Sequence, residues 1–149
     1  MPQLLATDRS ILSTFHRAVL GVVMGAHGAQ KLLGWFGGGG WDGTQAYFAS
    51  RGIPAALGAL VILAESFGAL ALIAGLATRL TAAATAAILA GTIWFEHGKN
   101  GFFMNWFGQM RGEGYEFALL GMALAIPLVI TGGGRWSLDR FITARSQSS

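Results

Sequence analysis

Cysteine is absent from the sequence. The chain therefore cannot form disulfides, carry a persulfide, act through a thiolate, or bind zinc or an iron–sulfur cluster through cysteine. Nucleotide motifs are also missing, since no flavin or nicotinamide fingerprint is present. The glycine-rich stretches GWFGGGGWDG (34–43) and TGGGR (131–135) lack the phosphate-binding pattern and are interpreted as flexible exits from helices.

Charge is scarce as well. Charged residues make up 11% of the 149 residues, while hydrophobic residues make up 53%. Ordinary globular domains carry about 25% charged residues. So few charges do not cover a water-facing surface, which predicts a membrane protein whose main partner is the lipid bilayer. The Lys and Arg residues are scattered, so no nucleic acid partner is expected.

Four hydrophobic stretches approach the roughly 20 residues that a membrane-spanning helix needs. They cover about 13–33, 54–77, 80–95 and 115–131. Because unpaired backbone is costly in lipid, each stretch is predicted to be helical. The expected fold is all-α: an integral membrane four-helix bundle of up-down-up-down order. Residues 1–149 would form a single transmembrane domain with short cytoplasmic tails.

The distribution of positive charge predicts the orientation of this bundle. The side of the termini carries more Lys and Arg (Arg9, Arg17, Arg79, Arg135, Arg140, Arg145) than the opposite side (Lys31, Arg51, Lys99, Arg111). This bias favours both termini in the cytoplasm. The predicted location is a bacterial-type inner (plasma) membrane, which the protein would cross several times. The N-terminus lacks a basic region, so no cleaved signal peptide is expected. His16 and Arg17 are expected to snorkel to the cytoplasmic interface.

Glu65 is the most informative residue, because it lies in the middle of the second hydrophobic stretch. A charge at the centre of a spanning helix costs about 2.5–3.5 kcal/mol, so Glu65 needs a partner in the interior. His27, Gln30 and Lys31 share one face of the first helix, because they are three and four residues apart. The sequence leaves open whether Lys31 or His27 meets Glu65.

Two more titratable groups are predicted in the same half of the membrane. His97 ends the third helix and Glu116 begins the fourth. Ionisable residues inside a membrane commonly mark functional sites. The candidate catalytic residues are therefore His27, Lys31, Glu65, His97 and Glu116. Other interpretations of the cluster remain open: a structural ion pair that sets helix register, a proton relay, or a metal site built from nitrogen and oxygen ligands. No tight ligand spacing such as HExxH supports a metal, and none is predicted.

Tryptophans concentrate on the predicted non-cytoplasmic side, at Trp35, Trp94 and Trp106 among others. Aromatic belts normally occupy both membrane interfaces. We interpret these three residues, together with Gln30, as candidates for an aromatic mouth that binds a ligand arriving from the membrane. The alternative is simple anchoring at the interface.

Small residues predict how the helices pack. Gly21, Gly25 and Gly28 lie on one face of the first helix, where they allow a neighbouring backbone to approach closely. The third helix has a similar face, formed by Ala83, Ala87 and Gly91.

The chain also contains two weakly similar halves. HG followed by WFG occurs within 27–37 and again within 97–108. Glu65 follows the first occurrence and Glu116 the second. This pattern suggests an internal two-fold repeat of helix pairs.

Five motifs in order over nearly the whole chain resemble the DoxX family: GAHGAQKLLGWFGG, AES followed by GALALIAGLATR, EHGKNGFF, GYEFALL and TGGGRWSLD. The resemblance implies a small four-helix integral membrane protein associated with membrane redox systems. Relatives in this family include the membrane subunits of thiosulfate:quinone oxidoreductase, and others are linked to oxidoreductase complexes that handle oxidative or thiol stress. The motif positions that carry polar residues are His27, Lys31, Glu65, His97, Glu116 and Asp139. Of these, Asp139 is expected to cap or anchor the tail.

The leading hypothesis is a membrane subunit of an oxidoreductase system that binds a quinone-like or other small ligand at the intramembrane His/Lys/Glu cluster. A quinone is the suspected cofactor, an oxidoreductase subunit the suspected partner, and a homo-oligomer is a further prediction. One alternative is a small oligomeric proton-coupled transporter. The other is a non-enzymatic scaffold for a partner complex, in which the polar cluster only stabilises the fold.

Overall fold

The computed structural model of the chain describes residues 5–146. This part is all-α, as predicted, and contains no strand. Its six α-helices are α1 (Ile11–Leu33), α2 (Gly40–Ser50), α3 (Ala55–Ala74), α4 (Thr78–Thr92), α5 (Glu116–Thr131) and α6 (Leu138–Ser146). A π-helical turn, Ile93–His97, continues α4, and short 3-10 turns cover Trp35–Gly37 and Gly98–Asn100.

Local chemistry explains where the long helices begin and end. The hydroxyl of Ser10 accepts hydrogen bonds from the backbone amides of Leu12 and Ser13, so α1 begins before the predicted residue 13. Gly34 and Gly75 follow α1 and α3 in the left-handed conformation, with φ of 74° and 70°. Glycine adopts this conformation without steric cost and commonly stops a helix. Gly75 therefore ends α3 before the predicted residue 77.

Two helical segments in residues 5–146 are long and apolar enough to cross a membrane, Ala55–Ala74 and Thr78–Asn100. Their mean hydropathies are 2.2 and 1.2. Glu116–Thr131 is apolar but shorter. α1 has 23 residues, but polar side chains such as Arg17, His27 and Lys31 interrupt its apolar character. The four predicted spans thus remain a prediction, supported most strongly for α3 and for α4 with its extension.

The glycine face of α1 contacts α3. A Cβ atom at Gly28 would lie 2.7 Å from the Cα atom of Ser66, and one at Gly21 would lie 2.7 Å from Cγ1 of Ile73. The residue numbers rise along α1 as they fall along α3, so the two helices run antiparallel. The predicted close approach of backbones is confirmed here. It is wrong for α4, where Ala83 and Ala87 are exposed and a Cβ atom at Gly91 would meet nothing within 4 Å.

α1 packs mainly on α3, and α4 mainly on α5, with smaller contacts between α3 and α4 and between α1 and α5. The molecule therefore contains two helix pairs. Equivalence of the two halves is not confirmed. Glu65 is buried in the middle of α3, whereas Glu116 is the first residue of α5. The internal repeat and the up-down bundle stay predictions.

Arg17 joins several elements at one end of the molecule. Its side chain is only 4% exposed. The guanidinium donates hydrogen bonds to the backbone carbonyls of Leu72 and Ile73 at the end of α3, and of Gly133 and Trp136 beyond α5. The expectation that Arg17 snorkels to an interface is wrong, because its guanidinium is buried and donates to backbone carbonyls at the end of α3 and beyond α5.

Asp139 at the start of α6 completes this end of the molecule. It is 1% exposed, and its carboxylate accepts hydrogen bonds from the amides of Ala77 at 2.6 Å and Thr78 at 2.8 Å. Those amides belong to the start of α4, where free N–H groups favour a negative charge. The expectation that Asp139 caps or anchors the tail is confirmed.

Candidate functional site

The pairing of α1 with α3 positions the central polar cluster. Gly28 lets the backbone of α3 approach at Ser66, and the Ser66 hydroxyl donates to the Gly28 carbonyl at 3.2 Å. Lys31 follows Gly28 by nearly one helical turn, and Glu65 directly precedes Ser66. Because the helices are antiparallel, this contact brings the two charged side chains together.

Lys31 and Glu65 form an ion pair inside the molecule. Nζ of Lys31 lies 2.5 Å from Oε2 of Glu65, and the side chains are 25% and 5% exposed. Oε2 is buried and has no hydrogen-bond partner of good geometry among residues 5–146. Lys31 thus compensates the charge of Glu65 and leaves this oxygen with capacity to accept another donor. The question left open by the sequence is answered in favour of Lys31.

A cavity of about 650 Å³ lies beside this ion pair. Its walls come from α1, α2, α3, α4 with the π-helical turn, and α5. Most of the lining is aliphatic or aromatic, including Leu57, Val61, Ile88 and Phe117. Its polar lining groups are few: His27, Lys31, Tyr47, Arg51, Glu65, Thr92, Glu96 and His97. An apolar cavity with a few converging polar groups is the usual form of a small-molecule site.

His27 lies in the wall between the ion pair and α5. Its ring contacts Phe117, with the ring centroids 5.3 Å apart and the planes inclined by 53°. The imidazole interacts electrostatically with both Lys31 and Glu65. His27 is therefore placed to donate or accept a proton next to the ion pair.

A second ion pair lies elsewhere on the cavity wall. Nη2 of Arg51 lies 2.8 Å from Oε1 of Glu96, linking the residue after α2 to the π-helical turn. The guanidinium also lies 5.1 Å from the centroid of the Tyr47 ring. Burial first, and then the neighbouring Glu96 carboxylate, raise the pKa of the Tyr47 hydroxyl above its ordinary value. Both Arg51 and Tyr47 retain solvent exposure, so this group forms the outer rim of the site.

His27, Lys31, Glu65 and His97, four of the five candidate catalytic residues, line this cavity. Nδ1 of His97 lies 2.9 Å from the Glu113 carbonyl oxygen, a contact that fixes the orientation of the ring. Glu116 does not line the cavity. Its carboxylate accepts a hydrogen bond from the Met104 amide at 3.2 Å and holds the segment before α5.

The predicted aromatic mouth is not where the cavity lies. The cavity lining does not include Trp35, Trp94 or Trp106, which are 59%, 84% and 79% exposed. Gln30 does not line the cavity either, and its side chain donates a hydrogen bond to the Phe36 carbonyl. The aromatic walls come from other residues: Tyr47, Phe48, Phe95 and Phe117. Tyr47 and Phe48 of α2, and Arg51 directly after it, were missed because this region was interpreted as part of a connection.

Across residues 5–146 no group of three or more His, Asp or Glu side chains is arranged to hold an ion. Glu65 is compensated by Lys31 instead.

The fold and the cavity define a small all-helical protein with an apolar outer surface and an internal polar cluster. The DoxX family model matches residues 12–98, which is more than half of the chain. Inner membrane protein YqjF of Escherichia coli (strain K12) is 33% identical over 111 residues, covering 71% of this chain and 77% of that protein. No solved structure gives a significant match. The chain belongs to the DoxX family of membrane proteins.

Proposed function

We propose that this protein is a membrane subunit of an oxidoreductase system and binds a quinone-like headgroup in the cavity beside Lys31 and Glu65. One observation carries the proposal. A buried carboxylate oxygen without a directed hydrogen bond lies, with its paired ammonium group, on the wall of a largely apolar cavity. A purely structural ion pair needs no adjoining cavity of about 650 Å³.

The lining groups fit the chemistry of such a ligand. Quinone carbonyl oxygens accept hydrogen bonds, and Lys31 has three N–H donors of which Glu65 uses only part. His27 offers a second donor on the same helix face. The Glu65 carboxylate can accept a hydrogen bond, and Lys31 compensates its charge. The bound quinone would supply two-electron redox chemistry, and these residues would bind it, orient it and exchange protons with it.

We further propose that α1, α3, α4 with its extension, and α5 span an inner membrane of the bacterial type. The outer surface supports this arrangement, because large apolar side chains are well exposed on all four helices, for example Val22, Phe67, Leu80 and Ile130. In water, such an apolar surface would promote aggregation of the protein. The start of α1, the α3–α4 turn and the end of α5 lie together around Arg17. This arrangement supports our proposal that both termini lie on the cytoplasmic side.

The redox partner is proposed to be a separate subunit. The chain has no cysteine to carry sulfur or electrons through a thiolate. Electrons would therefore reach the cavity from another protein or leave through a diffusing ligand. Pairing with such a subunit, or with further copies of this chain, would use the helix faces that remain exposed.

Purified protein in lipid nanodiscs tests the cavity. A quinone added to the wild type is expected to bind stoichiometrically, and Lys31→Met and Glu65→Gln are each expected to weaken binding by about tenfold or more, the effect of losing one charge-assisted hydrogen bond. Glu113→Gln is the matched control, because Glu113 is exposed and does not line the cavity. Unchanged affinity in both cavity variants, or no quinone binding to the wild type, would overturn the proposal and leave the ion pair with a structural role.

A further inference from the structure

A second hollow lies beside the cavity, on the outside of the molecule. It is a groove of about 400 Å³ along the line where α3 meets α4. Three residues, Leu60, Ala64 and Ala84, line both the cavity and the groove. Ala64 and Ala84 have the smallest side chains that carry a Cβ atom, so little side-chain material separates the two spaces at this junction.

The groove extends from this junction toward the α3–α4 turn. Its lining includes Phe67, Gly68 and Ala71 on α3 and Leu80 and Thr81 on α4. From Leu60 to Ala71 the helix rises roughly 16 Å at the standard 1.5 Å per residue. The Thr81 hydroxyl is occupied, because it donates to the carbonyls of Ala77 and Thr78. The groove is thus an apolar channel that offers no free side-chain donor.

Packing explains why the channel exists at this position. α3 and α4 contact one another less extensively than α1 contacts α3 or α4 contacts α5. Gly68 faces the groove, and a Cβ atom added there would meet nothing within 4 Å. The gap is therefore a space between two well-packed helix pairs, and its rim is apolar, since Leu60, Phe67 and Leu80 are each about 60% exposed.

We propose that the α3–α4 groove is the subsite for a hydrocarbon tail, and that the ligand is an amphipathic molecule whose headgroup occupies the cavity. This inference rests on the proposed function of the cavity. The lining that the two spaces share, at Leu60, Ala64 and Ala84, is what assigns the groove to the cavity ligand rather than to an unrelated lipid. The ligand reaches the ion pair sideways, from the bilayer between α3 and α4.

Two ligands with the same headgroup distinguish binding of the tail from binding of the headgroup. The probes are a dimethoxy-methyl-benzoquinone without a side chain and the same benzoquinone with a decyl chain, each titrated against the full chain in nanodiscs. Gly68→Leu fills the groove without touching the cavity. It is expected to weaken binding of the decyl compound severalfold, because the tail loses its packing contacts with the groove, while the tailless compound changes by less than about twofold.

Two further variants control the experiment. Ala83→Leu adds a similar apolar bulk next to Ala84, on an exposed face that lines neither space, and it is expected to bind both compounds like the wild type. Comparison with Ala83→Leu also corrects for partition of the decyl compound into lipid. Phe67→Ala removes a wall of the groove and is expected to weaken only the decyl compound.

The outcomes distinguish the two proposals. If wild type binds both compounds and neither groove variant discriminates between them, the tail subsite is wrong while the headgroup site stands. Co-purification of a phospholipid that Gly68→Leu removes, with decyl-compound binding unchanged, likewise overturns the subsite and makes the groove a lipid site. If neither compound binds to the wild type, the headgroup site and the tail subsite are both wrong.

Discussion

Replacement of Lys31 by methionine tests the electrostatics of the buried pair. Methionine keeps a long apolar stem and removes the charge, so Glu65, which is 5% exposed, loses the cation 2.5 Å away. Removing one partner of a fully buried pair costs about 3–5 kcal/mol. Because a quarter of the Lys31 side chain is exposed, we expect the lower end of this range, about 3 kcal/mol in the free energy of unfolding.

The double variant Lys31→Met/Glu65→Gln provides the decisive comparison. It leaves no charge to bury, so its stability is expected to return to within about 1 kcal/mol of the wild type. With the Glu65→Gln single variant completing the double-mutant cycle, the two positions would then show a coupling of at least about 2 kcal/mol.

Equilibrium unfolding in mild detergent, followed by far-ultraviolet circular dichroism, measures these differences. Lys99→Met is the matched control, since Lys99 is exposed and does not line the cavity, and it is expected to change stability by about 0.5 kcal/mol or less. Two results would refute the reasoning: a double variant as unstable as Lys31→Met alone, or a Lys31→Met protein as stable as the Lys99→Met control.

Three further predictions concern other parts of the molecule. Gly28→Ala places a Cβ atom 2.7 Å from the α3 backbone and is expected to destabilise the protein by about 1–3 kcal/mol in thermal unfolding. Gly25→Ala is the control. The nearest neighbour of its Cβ atom is 3.6 Å away, so its stability is expected to be unchanged. Asp139→Ala removes the cap of α4 and is expected to lower the free energy of unfolding by about 1 kcal/mol or more. It is also expected to accelerate tryptic cleavage within α6. An unchanged cleavage rate would contradict this role. Glu96→Gln is expected to lower the pKa of Tyr47, because the Glu96 carboxylate disfavours the phenolate. An ultraviolet titration in a variant that lacks the other tyrosine measures this pKa. An unchanged or higher pKa would show that the assignment is wrong.

Hydrophobic length and turn residues were enough to place the long helices. The stretches 13–33 and 115–131 differ from α1 and α5 by no more than two residues at either end. The π-helical turn was not predictable, because no residue type specifies it and it depends on packing. α2 was missed because two glycines within Gly40–Ser50 disfavour helix. It is held by tertiary contacts, such as the bond from the Thr44 hydroxyl to the Lys31 carbonyl.

The candidate site was partly predictable for one physical reason. A carboxylate in an apolar stretch requires compensation, so Glu65 indicated a partner, and helical periodicity pointed to Lys31 and His27. The aromatic walls were not predictable, because the exposed Trp94 and the cavity-lining Phe95 are neighbours in the sequence and only the π-helical turn decides which of them faces inward. Arg17 was misjudged because its carbonyl partners come from distant parts of the chain.

The π-helical turn also changes the phase of the helix to which it belongs. A π turn contains one residue more than an α turn, so every side chain beyond it is rotated relative to a continuous α-helix, by about 100° for one residue. Without that extra residue, Glu96 and His97 would present a different face to Arg51 and to the cavity. The extra residue in the π-helical turn after α4 thus determines which side chains form the rim of the site. Loss of a single residue from Ile93–His97 would reorient the rim while leaving Lys31 and Glu65 in place.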